Sequence, residues 1–244
     1  MTQTQSNPGP QGANGGFSPI FVMLAALFSV CLIVSNLLEI KTIDLGPLTL
    51  TAGVVVFPIS YILSDCIVEV YGFGRARLVI WLGFAMSLLV AVLLQLGILL
   101  PGGAHWDAQQ AMERIYGSVP RIMVASFGAF LCGSMVNAYV MSRMKVQQRG
   151  RHFSLRAIVS SLWGEGVDSC IFFPVAFGGV LPWSVILSMI LTQALVKTVY
   201  EVIALPVTLR VVRRLKRAER SDVYDHDADY SWWRIKGESR GCGA

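Results

Sequence analysis

The chain has 244 residues, of which 54% are hydrophobic and only 14% are charged, and its mean hydropathy is +0.59. A soluble domain carries about 25% charged residues, so this composition excludes a soluble globular protein and predicts an integral membrane protein. The net charge of +5 is attributed to membrane topology and contact with anionic lipid. It does not predict nucleic-acid binding, because the basic residues are not interleaved with aromatic residues on a soluble face.

The chain is predicted to contain one membrane domain between two tails. Residues 1–18 are expected to be a disordered N-terminal tail, since the first 16 are rich in Gln, Asn, Gly and Pro and lack basic residues. The membrane domain is predicted to cover residues 19–214, and residues 215–244 are expected to form a cytoplasmic C-terminal tail, of which the part from Ser221 is expected to be solvated or interfacial. About 20 apolar residues cross a bilayer, and six segments of the membrane domain meet this length. They cover about 19–38, 52–71, 78–100, 121–141, 156–177 and 183–207.

The basic residues determine the predicted orientation. Most of them follow the second, fourth and sixth segments, which places those ends in the cytoplasm. The predicted fold class is therefore an all-α integral membrane protein with six transmembrane helices and both termini cytoplasmic. Six helices also allow two inverted halves of three helices each, as in transporters whose binding site lies at the bilayer midplane.

Local signals predict interruptions of the helical pattern. Residues 39–51 alternate in polarity around Gly46 and Pro47, which predicts either a short hairpin or a plain extended loop over one mouth of the bundle. Pro58, Pro174 and Pro206 are predicted to kink or end their helices.

Polar side chains inside the predicted spans are the main functional signal. Tyr61, Asp65 and Glu69 lie four residues apart, so a helix places them on one face. A charge at the centre of a bilayer is costly and needs a partner, water or a ligand. The other polar residues within the spans are Asn36, Ser134, Asn137, Glu165, Asp168, Gln193, Lys197 and Glu201.

A structural role for these charges is the alternative. Lys197 could pair with Glu201 on its own helix, or with Asp65 or Asp168 on another. The five carboxyl groups, however, outnumber this one base, so internal pairing cannot neutralise all of them. A bound molecule with several hydrogen-bond donors would satisfy the remaining acids.

The predicted ligand is a small planar molecule that is rich in hydrogen-bond donors, since carboxylates accept parallel N–H bonds and amides read mixed edges. Five aromatic residues could stack on its ring or simply pack: Phe57, Tyr61, Trp163, Phe172 and Phe173. No cofactor or metal is expected, because the chain contains no P-loop, no HExxH sequence and no CxxC pair.

Several of these residues also carry a family resemblance. Ser35-Asn36, the stretch from Phe57 to Tyr61, Asp65 and the stretch from Glu69 to Gly72 resemble the queuosine-precursor transporter family, formerly described as vitamin uptake transporters. The similarity covers about residues 19–214. Further matches are Ala76-Arg77, Arg121-Ile122, Ala125-Ser126, Asn137, the region from Gly164 to Ser169, Lys197, Glu201 and Pro206.

The resemblance implies a six-helix protein of the bacterial inner membrane that imports 7-deazaguanine bases, in the cyano or aminomethyl form or as queuine. Asp65 or Asp168 would then take the guanine-like edge, and Asn36 or Asn137 would read the ring carbonyl. The substrate-binding residues that it implies, with Tyr61 added from its position on the second helix, are Asn36, Tyr61, Asp65, Glu69, Asn137, Asp168, Lys197 and Glu201.

Two other functions remain open from the sequence. One is a substrate-capture subunit that works with an ATPase module, and the other is an intramembrane enzyme that uses paired carboxyl groups as acid and base. No metal-ligand cluster, Ser/His arrangement or phosphate-binding loop accompanies the acids, so we expect a non-enzyme. The expected partners are a planar small molecule and membrane lipid, with a homo-oligomer or an ATPase module as further candidates.

Overall fold

A computed structural model describes residues 17–38, 41–45, 48–103, 105–117, 120–179, 182–219, 221–225 and 230. The predicted disordered tail therefore lies almost wholly outside the described residues. The helices are α1 (Pro19–Leu38), α2 (Phe57–Tyr71), α3 (Phe73–Leu99), the short α4 (Gln109–Met112), α5 (Pro120–Gln147), α6 (Phe153–Phe177) and α7 (Trp183–Glu219). A 3-10 turn (Ala52–Val55) precedes α2, and a π-helical turn (Glu113–Gly117) follows α4. The expected helical membrane fold is confirmed.

The long helices alternate in direction along the chain. The end of α2 meets the end of α7 through Glu69 and Lys216, and it meets the start of α6 through Arg156. The start of α1 lies at the same end, because the rings of Phe21 and Tyr71 touch. We call this the basic end of the bundle. The positive-inside rule predicts that it faces the cytoplasm.

A two-stranded hairpin lies between α1 and α2 at the opposite end. Strands β1 (Thr42–Leu45) and β2 (Leu48–Thr51) pair antiparallel, with Thr42 opposite Thr51. The structure thus contains the hairpin rather than the plain loop. The predicted turn residues Gly46 and Pro47 lie outside the described residues.

The three prolines have different outcomes. Pro58 lies in the first turn of α2, where the missing N–H costs no helical hydrogen bond. Pro174 lies in the last turn of α6, close to the predicted helix end. Pro206 lies inside α7, which continues to Glu219 instead of ending near Val207 as predicted. Membrane helices tolerate such a proline because neighbouring groups satisfy the freed carbonyl.

Five described segments are long and apolar enough to cross a membrane, namely 19–38, 52–71, 73–99, 124–147 and 183–219. Helix α6 is not in this group because Arg156, Glu165 and Asp168 make it more polar. Its 25 residues span about 37 Å, which exceeds the roughly 30 Å hydrocarbon core of a bilayer. Six spans with both termini cytoplasmic, and their division into inverted halves, remain predictions.

Candidate functional site

Helix α2 is the most enclosed helix of the bundle and positions the candidate site. It packs against α1, α3, α5 and α7, and 13 of its residues are buried. An all-round apolar helix with this packing can hold polar residues only where they face other polar groups. The face of α2 that carries Tyr61, Asp65 and Glu69 meets polar groups of other helices. Glu69, however, has different partners from Tyr61 and Asp65.

A close contact between α5 and α6 brings the site together. A methyl group on Gly133 would lie 2.8 Å from the backbone oxygen of Gly164 and 2.9 Å from the Tyr61 hydroxyl. A methyl group on Gly164 would lie 2.8 Å from Cβ of Asn137. Only glycine permits this approach, so the two glycines set the distance between Tyr61 on α2, Asn137 on α5 and Asp168 on α6. Gly133 was not predicted from the sequence. The signal that could have found it is its position four residues before Asn137, which places both residues on one face of α5.

Asp65 and Asn137 form a buried pair across α2 and α5. The Asn137 amide nitrogen donates to Oδ1 of Asp65 at 2.9 Å, and both side chains are 0% exposed. Oδ2 of Asp65 and Oδ1 of Asn137 have no hydrogen-bond partner among the described residues. The buried Glu201 carboxyl on α7 lies close to Asp65 and to Ser161. The pair therefore presents two acceptor oxygens toward neighbours that are themselves polar.

Lys197 on α7 is the base within this region, and it pairs with α6. Its ammonium lies 2.7 Å from Glu165 and 3.4 Å from Asp168. It also lies 3.9 Å from the centre of the Phe57 ring, a cation–π contact. Of the sequence alternatives, pairing with Asp168 is observed, joined by Glu165. The ammonium thus ties α7 to α6 and to the first turn of α2.

Seven buried polar side chains from α2, α5, α6 and α7 lie in this region, and we call them the polar core. They are Tyr61, Asp65, Asn137, Glu165, Asp168, Lys197 and Glu201. Four carboxyl groups here face one ammonium, so three negative charges would lack a counter-charge if all four were ionised. Several buried hydroxyl groups around them also lack a hydrogen-bond partner within the described part of the chain, namely those of Tyr61, Ser64, Ser161 and Ser169. Buried polar groups in native proteins are nearly always satisfied, so this arrangement suits water, protons or a ligand with several donors.

Glu69 belongs to a different group, although it follows Asp65 by one helical turn. Its carboxylate accepts from Arg156 at 2.9 Å and from Lys216 at 2.6 Å, and Lys145 lies 3.9 Å away. Lys145 and Lys216 also bind Asp222, at 2.6 Å and 2.9 Å. We call Glu69, Lys145, Arg156, Lys216 and Asp222 the basic cluster.

The basic cluster refines two expectations from the sequence. The basic residues were assigned to topology and anionic lipid; Arg156 is 0% exposed and Lys145 is 1% exposed, so these two cations lie inside the protein and do not contact lipid. The tail from Ser221 was expected to be solvated or interfacial; its Asp222 stays partly exposed but binds the buried Lys145. Burial alone would raise the pKa of Asp222, but the hydrogen bonds from Lys145 and Lys216 outweigh it and hold the pKa below its ordinary value.

The remaining predicted residues are placed as follows. Asn36 lies near the end of α1, and its amide nitrogen is buried without a hydrogen-bond partner among the described residues. No described hydrogen bond joins it to the polar core. Trp163 is 61% exposed and therefore lies outside the buried polar core. Phe172 and Phe173 pack against each other in a separate apolar cluster with Ile186.

The fold and the polar core define a multi-pass helical membrane protein with buried charges of the kind that transporters carry. Residues 51–211 match a family model described as "Putative vitamin uptake transporter". The chain is 33% identical over 189 residues to the "Probable queuosine precursor transporter" of Bacillus subtilis (strain 168), covering 77% of this chain and 82% of that protein. It is 28% identical over 154 residues to the "Queuosine precursor transporter" of Escherichia coli (strain K12), covering 62% and 66%.

The chain therefore belongs to the family of membrane transporters that this model describes, as the sequence resemblance indicates. No solved structure matches the chain.

Proposed function

We propose that this protein imports a queuosine precursor, a 7-deazaguanine base, across the bacterial inner membrane through the polar core. The observation that carries the proposal is the buried Asp65–Asn137 pair, whose two acceptor oxygens lie in a region where four carboxyl groups share one described ammonium. The Escherichia coli relative is named "Queuosine precursor transporter" and the Bacillus subtilis relative "Probable queuosine precursor transporter".

The contacts favour Asp65 over Asp168 as the group that takes the guanine-like edge. Asp168 is engaged by Lys197, whereas Asp65 has one oxygen on Asn137 and the other without a partner among the described residues. A guanine-like edge offers a ring N–H beside an exocyclic amine, and a carboxylate accepts such donors in parallel. Asn137 presents its carbonyl oxygen, so it would accept from the base rather than donate to a ring carbonyl.

The charge balance adds a preference among the precursors. Four carboxyl groups and one ammonium favour a ligand with a positive charge over a neutral one of the same shape. The aminomethyl precursor carries such a charge and the cyano precursor does not. We therefore propose that the aminomethyl form binds more tightly than the cyano form.

Uptake of labelled deazaguanine bases tests the proposal. Cells that cannot synthesise queuosine would express the parent chain or Asp65→Asn, and queuosine in transfer RNA would be measured. We expect uptake by the parent, and a loss of at least tenfold in the variant, because an amide in place of the carboxylate cannot accept both donors.

Trp163→Phe is the matched control, since this exposed side chain lies outside the polar core and should leave uptake unchanged. Both variants must reach the membrane in equal amounts. A well-expressed parent without any uptake would overturn the substrate class, and full uptake by Asp65→Asn would overturn the site.

The proposed mechanism needs no covalent chemistry, so labelled base should be recovered unchanged inside vesicles. Recovery of a modified base would instead support the intramembrane enzyme.

An ATPase partner remains a proposal as well, and uptake that stops when such a module is deleted would support it. Proton coupling through the polar core predicts that an uncoupler lowers the accumulated base.

A further inference from the structure

A short segment after α7 crosses the basic end of the bundle. Its described residues are 221–225 and Tyr230, which we call the strap. Ser221 donates to the carbonyl of Val70 at 3.1 Å, where α2 ends. A methyl group on Gly72, between α2 and α3, would lie 2.8 Å from the Val223 side chain. Gly72 has a φ of 83°, so a glycine both makes this turn and leaves room for the strap.

Lys145 ties the strap to the polar face of α2. An ammonium has three donors, and those of Lys145 go to the Glu69 carbonyl, to Asp222 at 2.6 Å and to the Val223 carbonyl at 2.7 Å. The ring of Tyr224 lies 4.7 Å from the same ammonium. A buried lysine that gives two of its three donors to a distant segment indicates a specific docking site rather than a solvated tail.

Asp225 caps a helix from which it is 152 residues distant. Its Oδ2 accepts from the backbone N–H of Phe73, the first residue of α3, at 2.8 Å, and from the Ser142 hydroxyl at 2.6 Å. Gly72 itself provides no capping side chain. A carboxylate at a helix start satisfies a free N–H and favours the helix dipole. Tyr230 adds a ring contact with Phe73 and a hydrogen bond with the Asp225 carbonyl.

The basic cluster and the strap together close one route from the polar core. Glu69 lies four residues after Asp65, which is about 6 Å further along α2 toward the basic end. Around Glu69 the ends of α5 and α7, the start of α6 and the strap meet through ion pairs. This network therefore lies between the polar core and the basic end along this face of α2.

We infer that the strap and the basic cluster form the cytoplasmic gate of the transporter, and that the gate opens when the strap leaves its docking site. The inference rests on the proposed function for the direction of transport. Glu69, which the resemblance placed among the substrate-binding residues, then acts as a positioning residue that holds the gate. Asp222 and Asp225 are the strap residues that keep it closed.

Thiol labelling tests the gate without any substrate. The reporter is Ser161→Cys, since Ser161 is buried beside Glu201 in the polar core region. A membrane-impermeant maleimide is added to inside-out vesicles, and labelling at position 161 is quantified by peptide mass spectrometry. Cys170 is exposed and lies in the same stretch between Arg156 and Lys197, so every chain in the comparison also carries Cys170→Ala.

Two changes to the strap should shift the labelling rate in opposite directions. Asp222→Asn combined with Asp225→Asn should raise it at least threefold from the cytoplasmic side. Ser142→Cys combined with Asp225→Cys should form a disulfide, because the parent oxygens are 2.6 Å apart, and should lower the rate until a reductant is added. Asp107→Asn, an exposed aspartate at the opposite end, is the matched control for the loss of charge and should change nothing.

Equal rates in all of these chains would overturn the gate. A rise from both sides of the membrane in the double Asn variant would also overturn it, because that result indicates general loosening. Labelling does not depend on the transported molecule, so a gate that responds as expected in a chain that fails to take up deazaguanines would refute only the proposed substrate.

Discussion

Asp65 and Glu69 are both buried carboxylates on the same face of α2, one helical turn apart, yet their surroundings are opposite. Glu69 receives Arg156 and Lys216 directly, with Lys145 nearby. Among the described residues, Asp65 accepts from the neutral amide of Asn137 and has a second carboxyl group, Glu201, as its other close neighbour. A saturated ion network favours one rigid arrangement, whereas an acid without a cation is left free to bind protons or a ligand.

The difference shows that an intramembrane acid is not by itself a binding residue. In the basic cluster, the cations come from helix ends and from the strap, all of which can reach α2 only at the basic end. The polar core lies deeper, beyond the reach of those side chains, and contains only Lys197 as a base among the described residues. Depth along α2 therefore separates a carboxylate with several described cation partners from one with none.

The largest expected effect breaks the basic cluster. Glu69→Gln leaves the fully buried Arg156 without the carboxylate it pairs with and removes one of the two carboxylates that Lys216 binds, so we expect a loss of about 3–5 kcal/mol in unfolding free energy. Asp65→Asn should cost far less, because no described cation pairs with that carboxylate. Unfolding midpoints in detergent would measure both variants. Equal destabilisation of the two would contradict the contrast between the regions.

A smaller effect should follow from forcing α5 and α6 apart. Gly133→Ala places a methyl group 2.8 Å from the Gly164 backbone oxygen, and such overpacking costs about 1–3 kcal/mol. Because the same contact positions Tyr61 and Asp168, uptake should fall together with stability. Gly128→Ala is the matched control on the same helix, since its methyl group would meet nothing within 4 Å. That control should be neutral or slightly stabilising. A Gly133→Ala chain as stable as the control would show that the close contact does not hold the site.

The smallest effect concerns pH and Asp222. Its pKa is held below the ordinary value by Lys145 and Lys216, so its contribution to stability is present above the ordinary pKa of about 3.9. The contribution is lost as the pH falls through the lower folded-state pKa. The difference in unfolding temperature between the parent and Asp222→Asn should thus be constant from about pH 8 to pH 5 and shrink only below about pH 4. A difference that already shrinks near pH 6 would indicate that another group titrates in the network.

Much of the fold was predictable because the membrane imposes strong rules. The length of the apolar segments predicted that α1 covers residues 19–38, and the structure has this helix from Pro19 to Leu38. It also predicted that the second span begins at residue 52, and the 3-10 turn that leads into α2 begins at Ala52. The helices α5 and α7 extend beyond the predicted ends, to Gln147 and Glu219, because their last turns leave the apolar layer and continue as charged helix. Hydropathy therefore predicts which residues lie in the apolar layer of the membrane, but it does not predict where a helix ends outside that layer.

The candidate site was predictable only in part. Helical spacing grouped Asp65 with Glu69, and it did so correctly for the face on which they lie. It could not show that Arg156 and Lys216, 87 and 147 residues away in sequence, reach Glu69. The role of these residues as substrate contacts remains a prediction, which the uptake experiment addresses.

The sequence by itself determined that the chain crosses a membrane, where its apolar segments lie and which buried acids need compensation, since these follow from composition, segment length and the cost of burying charge. Only the tertiary structure decided which acid receives which cation. That choice depends on distances between helices, which glycine contacts such as Gly133 with Gly164 set, and on a strap that returns from the end of α7 to the start of α3. Interactions over 80 to 150 residues of chain have no local pattern, so neither spacing nor hydropathy could specify them.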